Sequence, residues 1–573
     1  MKMIQIENQV KLKVNMKKNK LLYCPTCKKE EKWTTDYVAG KQSLAKYCVV
    51  CDTHIEEKYK LCILAAGKGS RNTSVEGLHK SLLPLENKAV ISHIIKSVPD
   101  SVEIVIAVGY KAEQVKSYVT EIFPRRDITF VNIENYEGLG SGPGLSLLKC
   151  KEHLKSPFII TSADTIVKEH MVFDELEENW LGVSHVDMED SLKYCLVKGS
   201  KYLDNLYYGT GNRAYIGMAG IYDYKDFWVS LENHEIIKDE YQVIHGFDGL
   251  DKIRLVDFTW YDTGNNESYE NTRKHYTKEI VAVKNKEAIF IDEGKVIKYY
   301  KDSEKCKRRI NRIKYLNGHA PNVIELNNNM YSYEHISGDL LSNVLNDNIL
   351  RSVLDFYKNK FSTEMFSKTD RFLEDCKEMY YTKTYDRISK FADSELDKIQ
   401  YINGVKVPGI IELLDKIDWQ SVYYQAIPSR FHGDFQPENI IYSNKGFKLI
   451  DWRESFGNSL DIGDLYYDLG KLYHALIING QVVLKKEYSY KIEDNNAYIE
   501  YNTKSNLLLL LNHFCDFCDE NDLSWNNIEL LGILQYIGIC TLYKDFHEGK
   551  YGEFLFLLGK YMLTKKLNNE RIN

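Results

Sequence analysis

The fold of the first large domain is decided by the stretch YKLCILAAGKGSR at residues 59–71. Residues 59–66 form an apolar run that ends in small residues, which is typical of a buried strand in a parallel sheet. Gly67 and Gly69 follow at once, and a backbone without Cβ atoms lets peptide N–H groups approach phosphate oxygens. Arg71 adds a positive charge. The stretch therefore predicts an α/β domain with a phosphate-binding loop after its first strand.

Three further segments follow in the same domain. Lys80 lies in LHKSLLPL at residues 78–85, nine residues after Arg71. A second apolar strand, residues 158–161, leads to Asp164, and open α/β sheets place ligands at the carboxyl ends of their strands. Asp262 lies in WYDTGN at residues 260–265.

In this order, over roughly residues 59–280, these segments resemble the nucleotidyltransferases that join nucleoside triphosphates to sugar phosphates, phosphocholine and similar phosphomonoesters. The resemblance implies that Asp164 and Asp262 hold Mg²⁺, that Lys80 orients the incoming phosphate and that Arg71 stabilises the pyrophosphate. Because all the reacting groups are anionic, a cation has to bridge them. The nucleotide-binding residues that it implies are Leu64, Ala65, Ala66, Gly67, Gly69, Gly140 and Ser141. The last two lie in GLGSGPG at residues 138–144, which would also make a flexible turn.

Two residues depart from the usual pattern of that family. His79 stands where proline is usual, and Asn265 stands where threonine is usual. The first change alters the local backbone preference and leaves the charge of Lys80 in place.

A different pattern begins at about residue 280. The stretch AIFIDEGKVIKYY at residues 288–300 predicts a β-hairpin with a Glu-Gly turn and with Lys298 on its second strand. The stretches FHGDFQPENII at residues 431–441 and KLIDW at residues 448–452 follow. Between them they supply Asp434, Asn439 and Asp451.

The HGDxxxxN pattern, with the second Asp twelve residues later, is similar to aminoglycoside phosphotransferases and choline kinases. The resemblance implies Asp434 as the base, Asn439 and Asp451 as Mg²⁺ ligands and Lys298 as the ATP-binding lysine, with His432 as a brace. YEHI at residues 333–336 would then be the hinge where Glu334 and Ile336 contact adenine, or else an ordinary strand. A GxGxxG loop before Lys298 is missing, and a glutamate partner for Lys298 is not evident.

Two CxxC pairs near the amino terminus are separated by twenty residues. Four thiolates at such spacing close a tetrahedral Zn²⁺ site, and a site with all four positions filled is structural. The ligands predicted for this zinc ribbon are Cys24, Cys27, Cys48 and Cys51. The segment between the pairs is expected to be strand-turn-strand, with Gly40 at the turn.

The amino-acid composition excludes several classes of protein. The 573 residues are 44% hydrophobic and 27% charged, which excludes a disordered chain. The longest aliphatic run, Leu507–Leu511, is far shorter than the ~20 residues of a membrane span. The amino terminus lacks the apolar core of a signal peptide, so we expect a cytoplasmic protein. Residues 1–60 carry a net charge of +6 and the remainder −13, which argues against nucleic-acid binding by the body of the chain.

The fold prediction is an α/β protein of three parts. Residues 1–58 form the zinc ribbon and residues 59–284 a Rossmann-like nucleotidyltransferase domain with a mixed, mostly parallel sheet and helices on both faces. Residues 285–573 form a protein-kinase-like α+β domain.

The functional prediction is a bifunctional enzyme. The kinase domain would use ATP to phosphorylate a small alcohol, amino alcohol or sugar, and the transferase would join the product to a nucleotide from CTP. The expected use of the activated product is the decoration of a surface glycan or lipid. One alternative is a sugar-1-phosphate nucleotidyltransferase that uses UTP or another triphosphate, with an unrelated kinase substrate. Another is a factor that the ribbon targets to nucleic acid or protein. The acceptor and the oligomeric state, a homo-oligomer included, stay open.

Overall fold

A computed structural model describes residues 21–24, 26–37, 44–51, 54–57, 59–171, 176–233, 241–276, 284–389, 391–392, 394–543, 547 and 549–570. The chain divides into two compact units, Met1–Lys301 and Asp302–Asn573. This division falls after the predicted hairpin, seventeen residues beyond the predicted boundary between residues 284 and 285. The three-domain scheme itself stays a prediction.

The first unit begins with an antiparallel sheet of four strands in sequential order, and the strands of a larger sheet follow. The strands are β1 (Leu21–Cys24), β2 (Lys29–Tyr37), β3 (Leu44–Cys48), β4 (His54–Glu57), β5 (Lys60–Ala65), β6 (Pro84–Leu85), β7 (Lys88–Ala89), β8 (Ile104–Val108), β9 (Ile128–Asn132), β10 (Phe158–Ser162), β11 (Thr165–Val167), β12 (Trp180–His185), β13 (Leu196–Lys198), β14 (Asn205–Tyr207), β15 (Arg213–Ile221), β16 (Arg254–Asp257), β17 (Trp260–Asp262), β18 (Glu287–Asp292) and β19 (Lys295–Tyr300). The helices are α1 (Val90–Lys96), α2 (Ala112–Ile122), α3 (Pro143–Lys149), α4 (Tyr224–Glu232) and α5 (Asn266–His275).

The main sheet of the first unit is mixed and mostly parallel at its centre. Its order is β14-β13-β15-β10-β5-β8-β9, with β12 paired to β15 and β16. Strands β10, β5, β8 and β9 are parallel neighbours, whereas β15 runs antiparallel to β10. This is the Rossmann-like arrangement that the sequence predicts.

Strand β5 lies inside this sheet because its residues are almost all apolar. Five of its six residues are buried, and every residue of β8 is buried. Such continuous apolar runs are typical of parallel strands covered on both faces. The loop after β5 therefore opens at the carboxyl edge of the sheet, as does the end of β10.

The predicted hairpin is confirmed as β18 and β19, with Glu293 and Gly294 at the turn, both in the left-handed region. The hairpin packs against α2 of the same unit. Phe290 is fully buried and its ring lies 5.0 Å from that of Tyr118 on α2, edge to face. Lys295 forms an ion pair with Glu121 at 3.2 Å.

The second strand of this hairpin also contacts the segment that follows Arg71. The Tyr299 hydroxyl donates a hydrogen bond to the Glu76 carbonyl at 3.0 Å, and Lys301 pairs with the Glu76 carboxylate. The hairpin thereby holds the segment that follows the predicted phosphate-binding loop.

The second unit combines short β-hairpins with a large set of helices. Its strands are β20 (Ile324–Asn327), β21 (Met330–Glu334), β22 (Asp339–Leu340), β23 (Tyr401–Ile402), β24 (Val405–Lys406), β25 (Pro428–Ser429), β26 (Ile440–Ser443), β27 (Gly446–Leu449), β28 (Gly463–Asp464), β29 (Tyr488–Glu493) and β30 (Asn496–Tyr501). Its helices are α6 (Ser303–Arg312), α7 (Leu341–Val344), α8 (Asp347–Phe356), α9 (Asp370–Lys377), α10 (Lys383–Ile388), α11 (Ile410–Asp415), α12 (Trp419–Gln425), α13 (Leu465–Ile477), α14 (Gly480–Leu484), α15 (Leu507–Glu520), α16 (Trp525–Ile539) and α17 (Lys550–Leu567).

Helix α13 forms the centre of the second unit, and each of its thirteen residues is buried. Gly470 lets α16 approach closely, because a Cβ at this position would lie 3.1 Å from the Gly532 nitrogen. A helix buried on all sides holds its polar side chains in fixed positions, and α13 carries Asp468 and Lys471 towards the HGDxxxxN segment.

No helix in the described part of the chain combines the length and the apolar character that crossing a membrane requires.

Candidate functional site

The loop after β5 is shaped around Lys80. Gly69 has a φ of +60°, and a Cβ at this position would lie 2.6 Å from Cδ of Lys80. Glycine is therefore required both by the left-handed backbone and by the close approach of the lysine stem. Lys80 itself begins a short 3₁₀ turn, Lys80–Leu82.

His79 caps this turn. Its Nδ1 accepts a hydrogen bond from the Ser81 nitrogen at 3.2 Å and lies 2.8 Å from the Ser81 hydroxyl. The ring is fully buried, and burial, with Lys80 alongside, lowers the pKa of His79 to about 3. The imidazole is thus neutral, and its capping role gives a physical reason for histidine in place of proline.

The two predicted transferase carboxylates lie together. Strand β17 pairs antiparallel with β11, which places Asp262 opposite Thr165, one residue after Asp164. Thr263 donates two hydrogen bonds to the Asp164 carbonyl, each at 3.0 Å. A Cβ at Gly264 would lie 3.1 Å from Oδ1 of Asp262 and 3.4 Å from Oδ2 of Asp164, so both carboxylates border one point.

Charge is unevenly distributed over this pair. Lys80 Nζ lies 2.7 Å from Oδ2 of Asp164. Burial works to raise the pKa of Asp164, but Lys80 and Arg71 outweigh it and leave this pKa below its usual value. Burial and the neighbouring Asp164 carboxylate raise the pKa of Asp262. Two neighbouring carboxylates, one of them in contact with a lysine, are a donor set that fits a divalent cation.

One of the two groups that hold Asp262 lies outside every sequence motif. The Tyr194 hydroxyl donates to its Oδ2 at 3.1 Å, and the N–H of Gly264, within the WYDTGN stretch, donates to its Oδ1 at 2.8 Å. Tyr194 packs edge to face on Trp260, with ring centroids 5.0 Å apart. Asn265, which stands where threonine is usual, caps α5 by accepting from the Ser268 nitrogen.

The predicted nucleotide loops lie at the same edge of the sheet. Gly140 and Ser141 precede α3, and the Tyr241 nitrogen donates to the Ser141 carbonyl at 2.9 Å. Lys68, in the first loop, pairs with Glu137, just before the second. Leu64 to Ala66 end β5 and begin the first loop. Their contacts with a nucleotide stay predictions.

In the second unit, the HGDxxxxN segment forms a tight loop around Asp434. Asn439 Nδ2 donates to Oδ2 of Asp434 at 3.0 Å, and Lys471 Nζ lies 3.0 Å from Oδ1. Burial works to raise the pKa of Asp434, but Lys471 outweighs it and keeps this pKa below its usual value. Lys471 lies on α13, far from the motif in sequence, and sequence reasoning did not single it out.

Asp451 lies beside this loop. The Ile450 nitrogen donates to the Asn439 carbonyl at 2.9 Å, and the Arg453 nitrogen donates to the His432 carbonyl at 3.0 Å. Arg309 Nη1 on α6 lies 2.7 Å from Oδ1 of Asp451. The oxygens of Asn439 and Asp451 are a donor set that fits Mg²⁺, although Arg309 contacts one of them.

The predicted brace is a small network. Asp468 accepts hydrogen bonds from the backbone N–H groups of His432 and Gly433 at 2.6 and 2.7 Å. His432 Nε2 lies 3.0 Å from the Ile450 carbonyl, and burial lowers the pKa of His432 to about 4. A neutral buried imidazole with backbone partners acts structurally.

The remaining predicted kinase residues lie apart from these in the chain. Lys298 is on β19 of the first unit and is buried. Glu334 ends β21, and Ile336 lies in the segment between β21 and β22. Their predicted contacts with ATP stay predictions.

Three of the four predicted zinc ligands cluster. The Sγ atoms of Cys27, Cys48 and Cys51 all lie within 4.8 Å of one another, and those of Cys27 and Cys48 are 3.9 Å apart. A tetrahedral site with 2.3 Å bonds has sulfurs about 3.8 Å apart, so this cluster fits Zn²⁺. Cys24 ends β1, but its side chain lies outside the described residues, as does Gly40.

Comparison with known proteins identifies part of the first unit. Residues 61–186 match the MobA-like NTP transferase domain family. The bifunctional protein GlmU of Methanococcus maripaludis is 31% identical over 129 residues, which is 22% of this chain and 29% of that protein. The protein of the same name from Methanococcus vannielii is 29% identical over 127 residues, with the same shares. The chain thus spans about 29% of the length of these curated relatives.

Solved structures similar to this chain include UDP-glucose pyrophosphorylase complexed with UDP-glucose, at 18% identity and a TM-score of 0.33 over 38% of this chain and 99% of that one. CTP:phosphocholine cytidylyltransferase from Streptococcus pneumoniae has 16% identity and the same TM-score and shares. The first unit therefore contains a Rossmann-like nucleotidyltransferase domain, as the family match to residues 61–186 shows.

Proposed function

We propose that the chain is a bifunctional enzyme that phosphorylates a small hydroxyl compound with ATP and then transfers a nucleotidyl group onto the resulting phosphomonoester. One observation carries the proposal. Each unit brings two oxygen-bearing side chains to an aspartate–lysine contact. In the first unit these are Asp164 and Asp262 with Lys80 on Asp164, and in the second they are Asn439 and Asp451 near Asp434, which Lys471 contacts. Such pairs suit reactions of triphosphates, whose charge must be neutralised by a cation.

In the first step, Asp434 would accept the proton of the substrate hydroxyl. The hydroxyl oxygen then bonds to the γ-phosphorus of ATP, the bond to the β-γ bridging oxygen breaks, and ADP leaves. Asn439 and Lys471 keep the Asp434 carboxylate oriented and anionic, as the two 3.0 Å contacts indicate. Mg²⁺ held by Asn439 and Asp451 would neutralise the charge on the phosphates.

In the second step, an oxygen of the phosphomonoester bonds to the α-phosphorus of the nucleoside triphosphate, and pyrophosphate leaves. Lys80 would orient the incoming phosphate, and Arg71 would stabilise the pyrophosphate. The Lys80–Asp164 contact places the ammonium group at the carboxylate pair where these anions would meet. Mg²⁺ held by Asp164 and Asp262 would offset the charge of the α-phosphate.

The nucleotide we propose is CTP, by analogy with the pairing of choline kinase and phosphocholine cytidylyltransferase, and we place the reaction in the cytoplasm. The test is to incubate the purified chain with Mg²⁺, ATP, each of the four nucleoside triphosphates and a panel of small alcohols, and to follow ADP and pyrophosphate. We expect pyrophosphate release to require the phosphorylated product of the first step. A kinase product that never serves the transferase would contradict the coupling.

We also propose that the ribbon binds one structural Zn²⁺ through Cys24, Cys27, Cys48 and Cys51. Elemental analysis of the full chain should find about one zinc, and Cys48→Ser should remove it. The matched control is Cys150→Ser, a buried cysteine outside the ribbon, which should retain the metal. Equal zinc in both variants would contradict this site.

A further inference from the structure

Four basic side chains lie near one another in the second unit, since the charges of Arg387, Arg453 and Lys471 all act on Lys383. Lys383 and Arg387 lie on α10, Arg453 follows Asp451, and Lys471 lies on α13. Arg453 packs directly on the HGDxxxxN segment, because a Cβ at Gly433 would lie 2.5 Å from its Cβ and 3.3 Å from its Cδ. Gly433 precedes Asp434, so this arginine lies next to the proposed base.

The contacts of these cations leave donors for a ligand. Arg453 Nη1 donates to the Tyr467 hydroxyl at 3.2 Å, while its Nε is buried with no hydrogen-bond partner among the described residues. Arg387 Nη1 donates to the Gly538 carbonyl at 2.8 Å. Lys383 is half-buried and forms no hydrogen bond or ion pair within the described part of the chain.

The carboxylates near the cluster are shared with other cations. Asp434 is engaged by Lys471 at 3.0 Å and Asp451 by Arg309 at 2.7 Å. Glu454 contacts Arg309 at 3.5 Å, and its charge also acts on Arg453. Burial and then the charges of Arg453, Arg387 and Lys471 lower the pKa of Lys383 to about 6, against a weaker effect of Glu454.

We propose that the acceptor of the phosphotransferase is an anionic hydroxyl compound, whose carboxylate or phosphate group binds among Lys383, Arg387 and Arg453 while its hydroxyl faces Asp434. This proposal rests on the phosphotransferase function proposed above. The chemistry is unchanged: the hydroxyl proton passes to Asp434, the new O–P bond forms, and ADP leaves. The anionic group is a spectator that neutralises the cluster and orients the hydroxyl.

The same cluster disfavours a quaternary ammonium acceptor. A cation of that kind needs aromatic faces and carboxylates, whereas here it would lie among basic side chains. We therefore do not expect the choline-type acceptor that the motif resemblance would allow.

The test measures binding to the full chain by titration calorimetry, with Mg²⁺ and adenylyl-imidodiphosphate present so that the nucleotide site is filled. The probes are glycerate, glycerol 3-phosphate, glycerol and choline. We expect binding of glycerate or glycerol 3-phosphate, which distinguishes the two anionic groups, at least tenfold tighter than that of glycerol or choline. Tighter binding of choline or glycerol, or no binding of either anion, would overturn the proposal.

Variants assign the effect to the cluster. Lys383→Gln and Arg453→Gln should each weaken binding of the anion at least tenfold, and the thermal midpoint checks that each is folded. The matched control is Lys416→Gln, an exposed lysine paired with Glu412 on α11. Unchanged affinity in both cluster variants would overturn the inference.

The failure of the proposed function is distinguishable from the failure of this inference. If anions bind at the cluster but ATP is never consumed with any acceptor, and Asp434→Asn changes nothing, the anion site stands without the phosphotransferase. If glycerol or choline is phosphorylated and both anions are not, the phosphotransferase stands and this inference falls.

Discussion

The two predicted metal ligands of the first unit have different neighbours: Lys80 contacts Asp164, whereas the Asp262 carboxylate accepts hydrogen bonds from neutral donors. Those donors are Tyr194 and the Gly264 N–H. A metal ligand whose orientation depends on a hydroxyl group is sensitive to the loss of that hydroxyl. Tyr194, which supplies this hydroxyl, therefore positions the Asp262 carboxylate.

Tyr194→Phe should lower nucleotidyl transfer about tenfold and raise the Mg²⁺ concentration that gives half-maximal rate, since removal of a partner of a metal ligand typically costs 10–100-fold. Steady-state assays over a Mg²⁺ series measure both. The control is Tyr208→Phe, an exposed tyrosine. An unchanged Mg²⁺ dependence in Tyr194→Phe would show that the hydroxyl is only structural.

The pKa of Lys383 predicts whether anion binding takes up or releases a proton. Its pKa of about 6 means that it is mostly neutral at pH 7.5, and an anion bound beside it would raise that pKa, so binding should take up a proton. The charged groups that face Lys383 are Arg387 on the same helix, Arg453 and Glu454 after Asp451, and Lys471 on α13.

Calorimetry of glycerate or glycerol 3-phosphate binding in buffers of different ionisation enthalpy measures this uptake. We expect a substantial fraction of one proton at pH 7.5, falling towards none at pH 5, where Lys383 is already protonated. Lys383→Gln should abolish the uptake. Proton release at pH 7.5 would contradict the sign.

The sequence predicts Asp164, Asp262 and the Asp434–Asn439–Asp451 set because strand ends and a tight loop fix their positions within short motifs. It does not predict Tyr194, Lys471 or Lys383, because each comes from an element whose own sequence has no motif. The packing of α13 and the pairing of β11 with β17 bring such residues to the sites. Contacts of this long range leave no local signal.

At the scale of elements, the hairpin β18–β19 is the feature that sequence and structure assign differently. The sequence change near residue 280 placed it at the start of the second domain, whereas its apolar face packs on α2 through Phe290 and Tyr118. Alternation of apolar residues along a strand gives the hairpin but cannot say which core covers it.

Phe290→Ala should destabilise the first unit by about 3–5 kcal/mol, the usual cost of removing a fully buried phenylalanine. The urea concentration at which nucleotidyl transfer is half lost should fall, and amide hydrogen exchange in α2 should become faster. Phe290→Leu, which keeps most of the volume, should show a smaller shift of the same kind. Unaltered exchange in α2 would contradict the packing role.

At the scale of the whole molecule, the two carboxylate centres belong to different units, Asp164 to residues 1–301 and Asp434 to residues 302–573. In each centre a lysine of the same unit contacts the aspartate, Lys80 with Asp164 and Lys471 with Asp434. The two activities should therefore be separable by single substitutions.

Asp164→Asn should reduce nucleotidyl transfer at least a hundredfold and leave ATP-dependent phosphorylation intact, and Asp434→Asn should do the reverse. The measurements are pyrophosphate release with the phosphomonoester supplied directly and ADP release with the alcohol. The two variants are matched controls for each other. Loss of both activities in either one would contradict separate centres.

Lys298 and Tyr299 are consecutive residues on β19, one predicted to contact ATP and the other bonded to the Glu76 carbonyl. A division of this chain into two separate enzymes would have to fall on one side or the other of this hairpin. A division before the hairpin would remove strands that pack on α2, and a division after it would separate Lys298 from the HGDxxxxN segment with which it is predicted to act. If that prediction holds, a division on either side of β19 should cost one of the two proposed activities.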